Sequence, residues 1–93
     1  MTYHLSIPPH VAAVMAHLPP SIKRDARQAL RVLCDDPQAG EPLQRELRGL
    51  RKYRIRAFRV VYRIVTSQRL IQIMAVAPRE TVYDMVRAYL HRE

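Results

Sequence analysis

The stretch from Tyr53 to Tyr83, YRIRAFRVVYRIVTSQRLIQIMAVAPRETVY, constrains the fold more than any other part of the chain. Arg54, Arg56, Arg59 and Arg63 recur at strand spacing through otherwise apolar sequence, and Arg79 and Tyr83 follow the most hydrophobic run. Side chains of a strand alternate between its faces, so Arg54 and Arg56 are expected on one face and Tyr53, Ile55 and Ala57 on the other. The run LIQIMAV is apolar on both faces, as in a central strand covered from each side. The chain must therefore build a sheet with a layer on either face and arginines in the space that remains. Guanidinium groups on a rigid sheet suit the gripping of phosphate and are expensive to place there for packing alone.

The elements around this stretch follow from local pattern. Tyr3, Leu5 and Ile7 alternate with Thr2, His4 and Ser6, which predicts a short first strand. Pro8-Pro9 ends it and opens a helix to about His17, with Val11, Val14, Met15 and Leu18 inward. Pro19-Pro20 breaks the chain. Ser21 is the predicted N-cap of a second helix to about Asp35, with Asp25 near its positive end and Ile22, Ala26, Ala29, Leu30 and Leu33 at helical spacing. Asp36 to Gly40 reads as a linker. Strands are predicted at Tyr53–Ala57, Phe58–Val65 and Leu70–Val76, with Thr66 to Arg69 as a hairpin link lacking the usual glycine or asparagine. A short helix from Tyr83 to His91 closes the chain. The order is β-α-α-β-β-β-α, an α+β fold with a small antiparallel-rich sheet covered by an N-terminal helical hairpin. With 93 residues the chain has length for one core, so residues 1–93 are expected to be a single domain.

Charge narrows the partners. Sixteen Lys+Arg against eight Asp+Glu leave a formal net charge of +8, and only Lys23 and Lys52 among them are lysines. That balance implies a polyanionic partner, and arginine dominance favours planar contact with phosphate or carboxylate. Cys34, the one cysteine, permits no internal disulfide and reads as a small buried apolar residue in a reducing compartment. The start MTYHLSIPPH lacks a signal-peptide pattern, and no apolar run is long enough to span a bilayer, so a cytoplasmic protein without a membrane partner is expected. His4, His10, His17 and His91 are scattered, with no CxxC, so no metal or other cofactor is expected. A P-loop, a GxGxxG fingerprint and a nucleophile elbow are also missing.

Nearly the whole chain resembles the RelE/ParE toxin superfamily of bacterial type II toxin–antitoxin systems. The resemblance is carried by the double helix with its Leu-Pro-Pro-Ser-Ile turn, the segment EPLQRELRGL, the strand FRVVYRI and the closing PRETVY. It implies one of two activities. RelE-like members are metal-independent messenger-RNA endoribonucleases acting on the ribosome, whereas ParE-like members poison DNA gyrase. The RelE-like catalytic pattern falls here on Arg54, Arg56, Arg59, Arg79 and Tyr83, and that branch is the expected one. Arg59 and Arg79 are then the expected charge stabilisers, with Arg54 and Arg56 in support. Tyr83 would stack on a base, transfer a proton, or pack the last helix. Some relatives carry lysines where this chain has Arg54 and Arg56, and arginine is never deprotonated. A general base must then come from elsewhere. Glu41 is the candidate, against a simple pairing with an arginine.

The resemblance also implies a cognate antitoxin with an acidic or extended segment, and contact with operator DNA only through that complex. Arg45, Arg48, Arg51 and Lys52 are expected to contact ribosomal RNA or the antitoxin, unless they form a solvated face. Arg63 and Arg69 read as edge charges, and Tyr62 as core or sheet surface.

Overall fold

The computed structural model describes residues 2–91; the end residues 1, 92 and 93 of the expected single domain lie outside the described residues. Strand β1 (His4–Ser6) leads into helices α1 (Pro9–Ala16) and α2 (Pro20–Asp35), then come strands β2 (Glu41–Pro42), β3 (Arg51–Ile55), β4 (Phe58–Val65) and β5 (Leu70–Pro78), and helix α3 (Val82–His91). They form a mixed α+β fold whose five-stranded sheet runs β1-β5-β4-β3-β2. β1 is parallel to β5 and the remaining pairs are antiparallel.

Two prolines shape each helix start. Pro19 takes an extended conformation (φ −54°, ψ 148°) and Pro20 occupies the first helical position, so the cap of α2 is Pro19 and Ser21 lies inside the helix. The expected Ser21 cap is thereby corrected: proline's fixed φ already suits the first turn, and it lacks the N–H that a cap would satisfy. Asp25 is likewise beyond the first turn, and its carboxylate is held by Arg56 instead of the helix end.

Both faces of the sheet are covered. On one, α1 and α2 bury Val11, Ala26, Ala29, Leu30 and Leu33 against Ile55, Val60, Tyr62, Ile71, Ile73 and Val76. On the other, α3 and the segment after β2 bury Val82, Val86, Leu47 and Leu50 against Val61, Met74, Ala75 and Ala77. The central position and two-sided burial of β5 match the pattern of LIQIMAV. A bulge lets this happen. Tyr62 pairs with Ile73 and Val61 with Ala75, so Met74 has no partner across the ladder. The extra residue resets the alternation, placing Met74 and Ala75 on the same face. β1 pairs only with Leu70 to Gln72, and beyond it His10 caps the Met74 carbonyl through Nε2 (3.0 Å) while its ring packs on Tyr89 of α3.

Several boundaries differ from the sequence reading. β2 was not expected, because two residues carry no alternation. β3 ends at Ile55, so Arg56 and Ala57 form a two-residue hairpin loop with Arg56 at φ 56°. The Thr66–Gln68 turn closes on Arg69 in the left-handed region (φ 51°, ψ 49°), where glycine or asparagine is usual. Arg63 lies past the end of the β3–β4 ladder, where β4 keeps only its β5 neighbour, and it donates from Nε (3.0 Å) and Nη2 (2.7 Å) to Gln72 Oε1. Cys34 is half-buried, with burial and neighbouring Asp35 raising its thiol above the usual range.

Candidate functional site

The face of the sheet under α3 continues past the helix into a cationic rung. Arg54 of β3 stands directly opposite Arg59 of β4, and Arg59 is opposite Ala77 of β5. Counting back from the two-residue loop, this rung is a non-hydrogen-bonded pair, the kind in which facing side chains come closest. Like charges placed so are destabilising by themselves. Among the described residues neither arginine forms an ion pair. Their donors converge on one backbone oxygen: Arg54 Nε lies 3.2 Å and Arg59 Nη1 3.1 Å from the Arg56 carbonyl, with Arg59 Nη1 also 2.8 Å from that of Phe58. The left-handed loop residue thus offers its carbonyl to both guanidinium groups, with Arg54 exposed and Arg59 half-buried.

Arg79 joins from the end of β5. Its backbone N–H donates to the Ala57 carbonyl (2.9 Å), tying the segment before α3 to the same hairpin loop. Arg79 is exposed, and Tyr83, one turn into the chain beyond it, is half-buried on the Leu47–Val61–Val82 cluster. Glu41 pairs with Lys52, which pairs with Val61, so both share the face of Arg54 and Arg59 one rung along. The expected sharing of a face by Arg54 and Arg56 is corrected. Arg56 sits in the turn, and its Nε donates 2.6 Å to Asp25 Oδ2 of α2, on the opposite side of the sheet.

Arg51 also differs from the residues grouped with it. Its guanidinium donates to the Gly40 carbonyl from Nε (3.1 Å) and Nη2 (2.9 Å), and to that of Gln38 (3.3 Å). The fully buried Tyr62 completes this clamp: its hydroxyl donates to the Pro37 carbonyl (2.6 Å) and accepts from the Gly40 N–H (3.0 Å). Burial pushes the Tyr62 phenol above its ordinary value, while the Gly40 N–H and Arg51 pull it down. A Cβ on Gly40 would meet the Lys52 carbonyl at 2.5 Å and the Tyr62 hydroxyl at 2.6 Å, so the position admits only glycine. The clamp fixes the entry to β2 and hence Glu41. No sequence signal pairs Tyr62 with a loop 22 residues away. On the far side, Arg87 of α3 bridges Glu46 (2.7 Å) and Asp84 (3.1 Å), while among the described residues Arg48 and Lys52 form no ion pair. Among the described residues no group of three His, Cys, Asp or Glu side chains could hold a metal ion, and no helix is long and apolar enough to cross a membrane.

Comparison with known families decides the lineage. The profile of the family described as the ParE toxin of the type II toxin–antitoxin system parDE matches residues 10–83. The chain belongs to this family. It is a type II toxin of the RelE/ParE superfamily, and its fold is the RelE-like one. No curated protein matches this ParE-family chain. Among solved structures, a chain of the toxin–antitoxin complex RelBE2 from Mycobacterium tuberculosis is 28% identical, with a TM-score of 0.76 over 85% of this chain and 100% of that one. The archaeal RelE–RelB complex from Pyrococcus horikoshii OT3 gives 25% identity and a TM-score of 0.71 over 85% and 97% of the two chains. A double arginine-to-alanine mutant of the E. coli toxin RelE in the free state shares the fold, with a TM-score of 0.79 at 17% identity over 99% and 98%.

Proposed function

We propose that this toxin is a ribosome-dependent messenger-RNA endoribonuclease. The observation that carries the reading is the Arg54–Arg59 rung: two like charges face each other on one sheet face, neither in an ion pair among the described residues, beside the backbone-anchored Arg79. A sheet that keeps such a rung gains nothing from it in folding. A phosphodiester passing into the transition state of cleavage gains a great deal. The 2′-hydroxyl attacks the adjacent phosphorus in line, the P–O5′ bond breaks, and the products are a 2′,3′-cyclic phosphate and a 5′-hydroxyl. Arg59 and Arg79 stabilise the charge that builds on the non-bridging oxygens, each such donor contributing about 3–4 kcal/mol. Arg54 grips the same phosphate or its neighbour.

Glu41 takes the 2′-hydroxyl proton, and the departing 5′-oxygen gains one from the Tyr83 hydroxyl or from water; with Tyr83 as donor, water restores the phenol. Glu41 shares the arginine face, and Tyr83 also serves as a stacking surface for an unpaired base. Arg48 and Lys52 extend the cationic surface towards RNA, whereas Arg51 holds the Gly40 loop and Arg56 is tied to Asp25. A cognate antitoxin binds this toxin, a reading supported by the toxin–antitoxin complexes formed by the M. tuberculosis and P. horikoshii relatives; it covers this surface, and operator DNA is reached only through that complex.

Primer extension on programmed ribosomes tests the reading: the toxin should cut mRNA in the A site, and Arg59→Ala with Arg79→Ala should remove cutting. Undiminished cutting by that double variant would refute it. The family profile itself favours a second reading, a non-nuclease toxin that inhibits DNA gyrase. Loss of supercoiling with translation intact would select it.

A further inference from the structure

The helical layer carries a second concentration of positive charge, on the side of the molecule away from the sheet arginines. Lys23, Arg27 and Arg31 follow one another at four-residue spacing on α2, and Arg24 lies beside them. This is one face of the helix, about 10.5 Å long from Arg24 to Arg31. Arg24, Arg27 and Arg31 are exposed. The inward face of the same helix is buried through Ala26, Ala29, Leu30 and Leu33. A shallow depression of about 390 Å³ runs over the crest, lined by Pro20, Lys23, Arg24, Arg27, Gln28 and Arg31.

On this side of α2 the row ends in one carboxylate, Asp35, four residues beyond Arg31. Among the described residues none of the four cations forms an ion pair, and the one side-chain contact is a long Arg31 Nη1 to Gln28 Oε1 hydrogen bond of 3.5 Å. Asp25, the carboxylate nearest in sequence, faces Arg56. Like charges four residues apart destabilise a helix, and an ordinary solvated face interleaves the two signs.

We propose that the crest of α2 is a second phosphate-binding surface, which takes the backbone of double-stranded RNA. Three features select that occupant. The lining is cationic and polar, where a groove for a protein helix is predominantly apolar. No aromatic side chain lies on the crest, and single strands are held by stacking on aromatics. The helix is packed on the body through Ala26, Ala29, Leu30 and Leu33, which leaves its outer crest to meet a nucleic acid. It can lie across the wide, shallow minor groove of A-form RNA, where phosphates flank an open surface. With the sheet arginines on the opposite side, the protein would hold two RNA segments at once. This inference goes beyond the proposed cleavage and is read by binding alone.

Fluorescence anisotropy with a short labelled RNA hairpin measures it, comparing the parent with R24Q/R27Q/R31Q. Glutamine preserves helix propensity, so the fold should survive. Each phosphate contact contributes about 0.7–0.9 to the slope of log affinity against log salt. Losing three should flatten the slope by about 2–3, so that between about 50 and 200 mM salt the parent loses roughly 20- to 40-fold more affinity than the variant. R24K/R27K/R31K should keep the parent slope, and each single glutamine variant should remove about one contact's worth. Three results overturn the proposal: an unchanged affinity and slope in the triple and single glutamine variants, an equal effect on a DNA duplex of the same length, or RNA binding that persists while an acidic helical peptide is lost. Failure of ribosomal cutting with this slope change intact would count against the nuclease reading alone.

Discussion

Replacing Tyr62 by phenylalanine should uncouple the loop before β2 from the core while leaving the ring in place. The hydroxyl of Tyr62 is the sole side-chain link among the described residues to the Gly40 N–H (3.0 Å), and it donates a 2.6 Å bond to the Pro37 carbonyl. Gly40 is buried, so its N–H would lose its partner in a place that water reaches poorly. An orphaned buried donor costs about 1–3 kcal/mol, and the lost bond to Pro37 adds about 1 kcal/mol. A loss near 2 kcal/mol is expected once the loop relaxes partly towards solvent. For a chain of this size that is a fall in Tm of roughly 8–16 °C.

Urea unfolding followed by far-UV circular dichroism measures the change, with an unaltered slope against denaturant as the sign that compactness is kept. The three guanidinium contacts of Arg51 grip the same loop, so Arg51→Met should couple to Tyr62→Phe by about 0.5–3 kcal/mol in a double-mutant cycle. A Tyr62→Phe loss below about 0.5 kcal/mol, with no coupling to Arg51, would show that the clamp does not hold the loop. Glu41 would then need another explanation for its placement.

Other consequences follow from the same contacts. Arg54→Ala removes one member of a like-charge rung and should raise stability by about 0.2–1 kcal/mol in thermal unfolding, even as it weakens RNA binding. Burial raises the Tyr62 phenol in the folded state, so the stability gained from its protonated form is fully present below about pH 10 and is lost as pH climbs through the folded value. Unfolding titrations should show that decline in the parent and a flatter one in Tyr62→Phe. Gly40→Ala places a methyl 2.5 Å from the Lys52 carbonyl and should destabilise by about 1–3 kcal/mol, seen as a lower urea midpoint. Asp25→Asn breaks a half-exposed ion pair and should change stability by less than about 1 kcal/mol, while releasing Arg56 and strengthening RNA binding in anisotropy.

The elements readable from the sequence were those with a long period to count. α2, β4 and β5 each offer enough residues for hydrophobic spacing to outweigh noise, and their bounds came out within two residues of expectation. β2 has two residues, and two residues have no period. Arg56 was placed on a strand because alternation ran through it, but a hairpin loop interrupted the count there. Ser21 was read as a cap because hydroxyls cap helices, yet adjacent prolines had already determined the start. At the candidate site, Arg54, Arg59 and Arg79 were legible as residues. Their meeting was not.

By itself, the sequence determined the chemical inventory and the sheet. A chain so rich in arginine, with one run apolar on both sides, had to bury a central strand and leave guanidinium groups at its margins. Tertiary structure decided which of those groups act together. Register across β3 and β4 set Arg54 against Arg59, the hairpin loop sent Arg56 to Asp25, and the Gly40 loop took Arg51. Alternation assigns a side chain to a face relative to its own strand. Only pairing between strands fixes which charge stands beside which, because that depends on ladder offsets and bulges that leave no local mark in the chain.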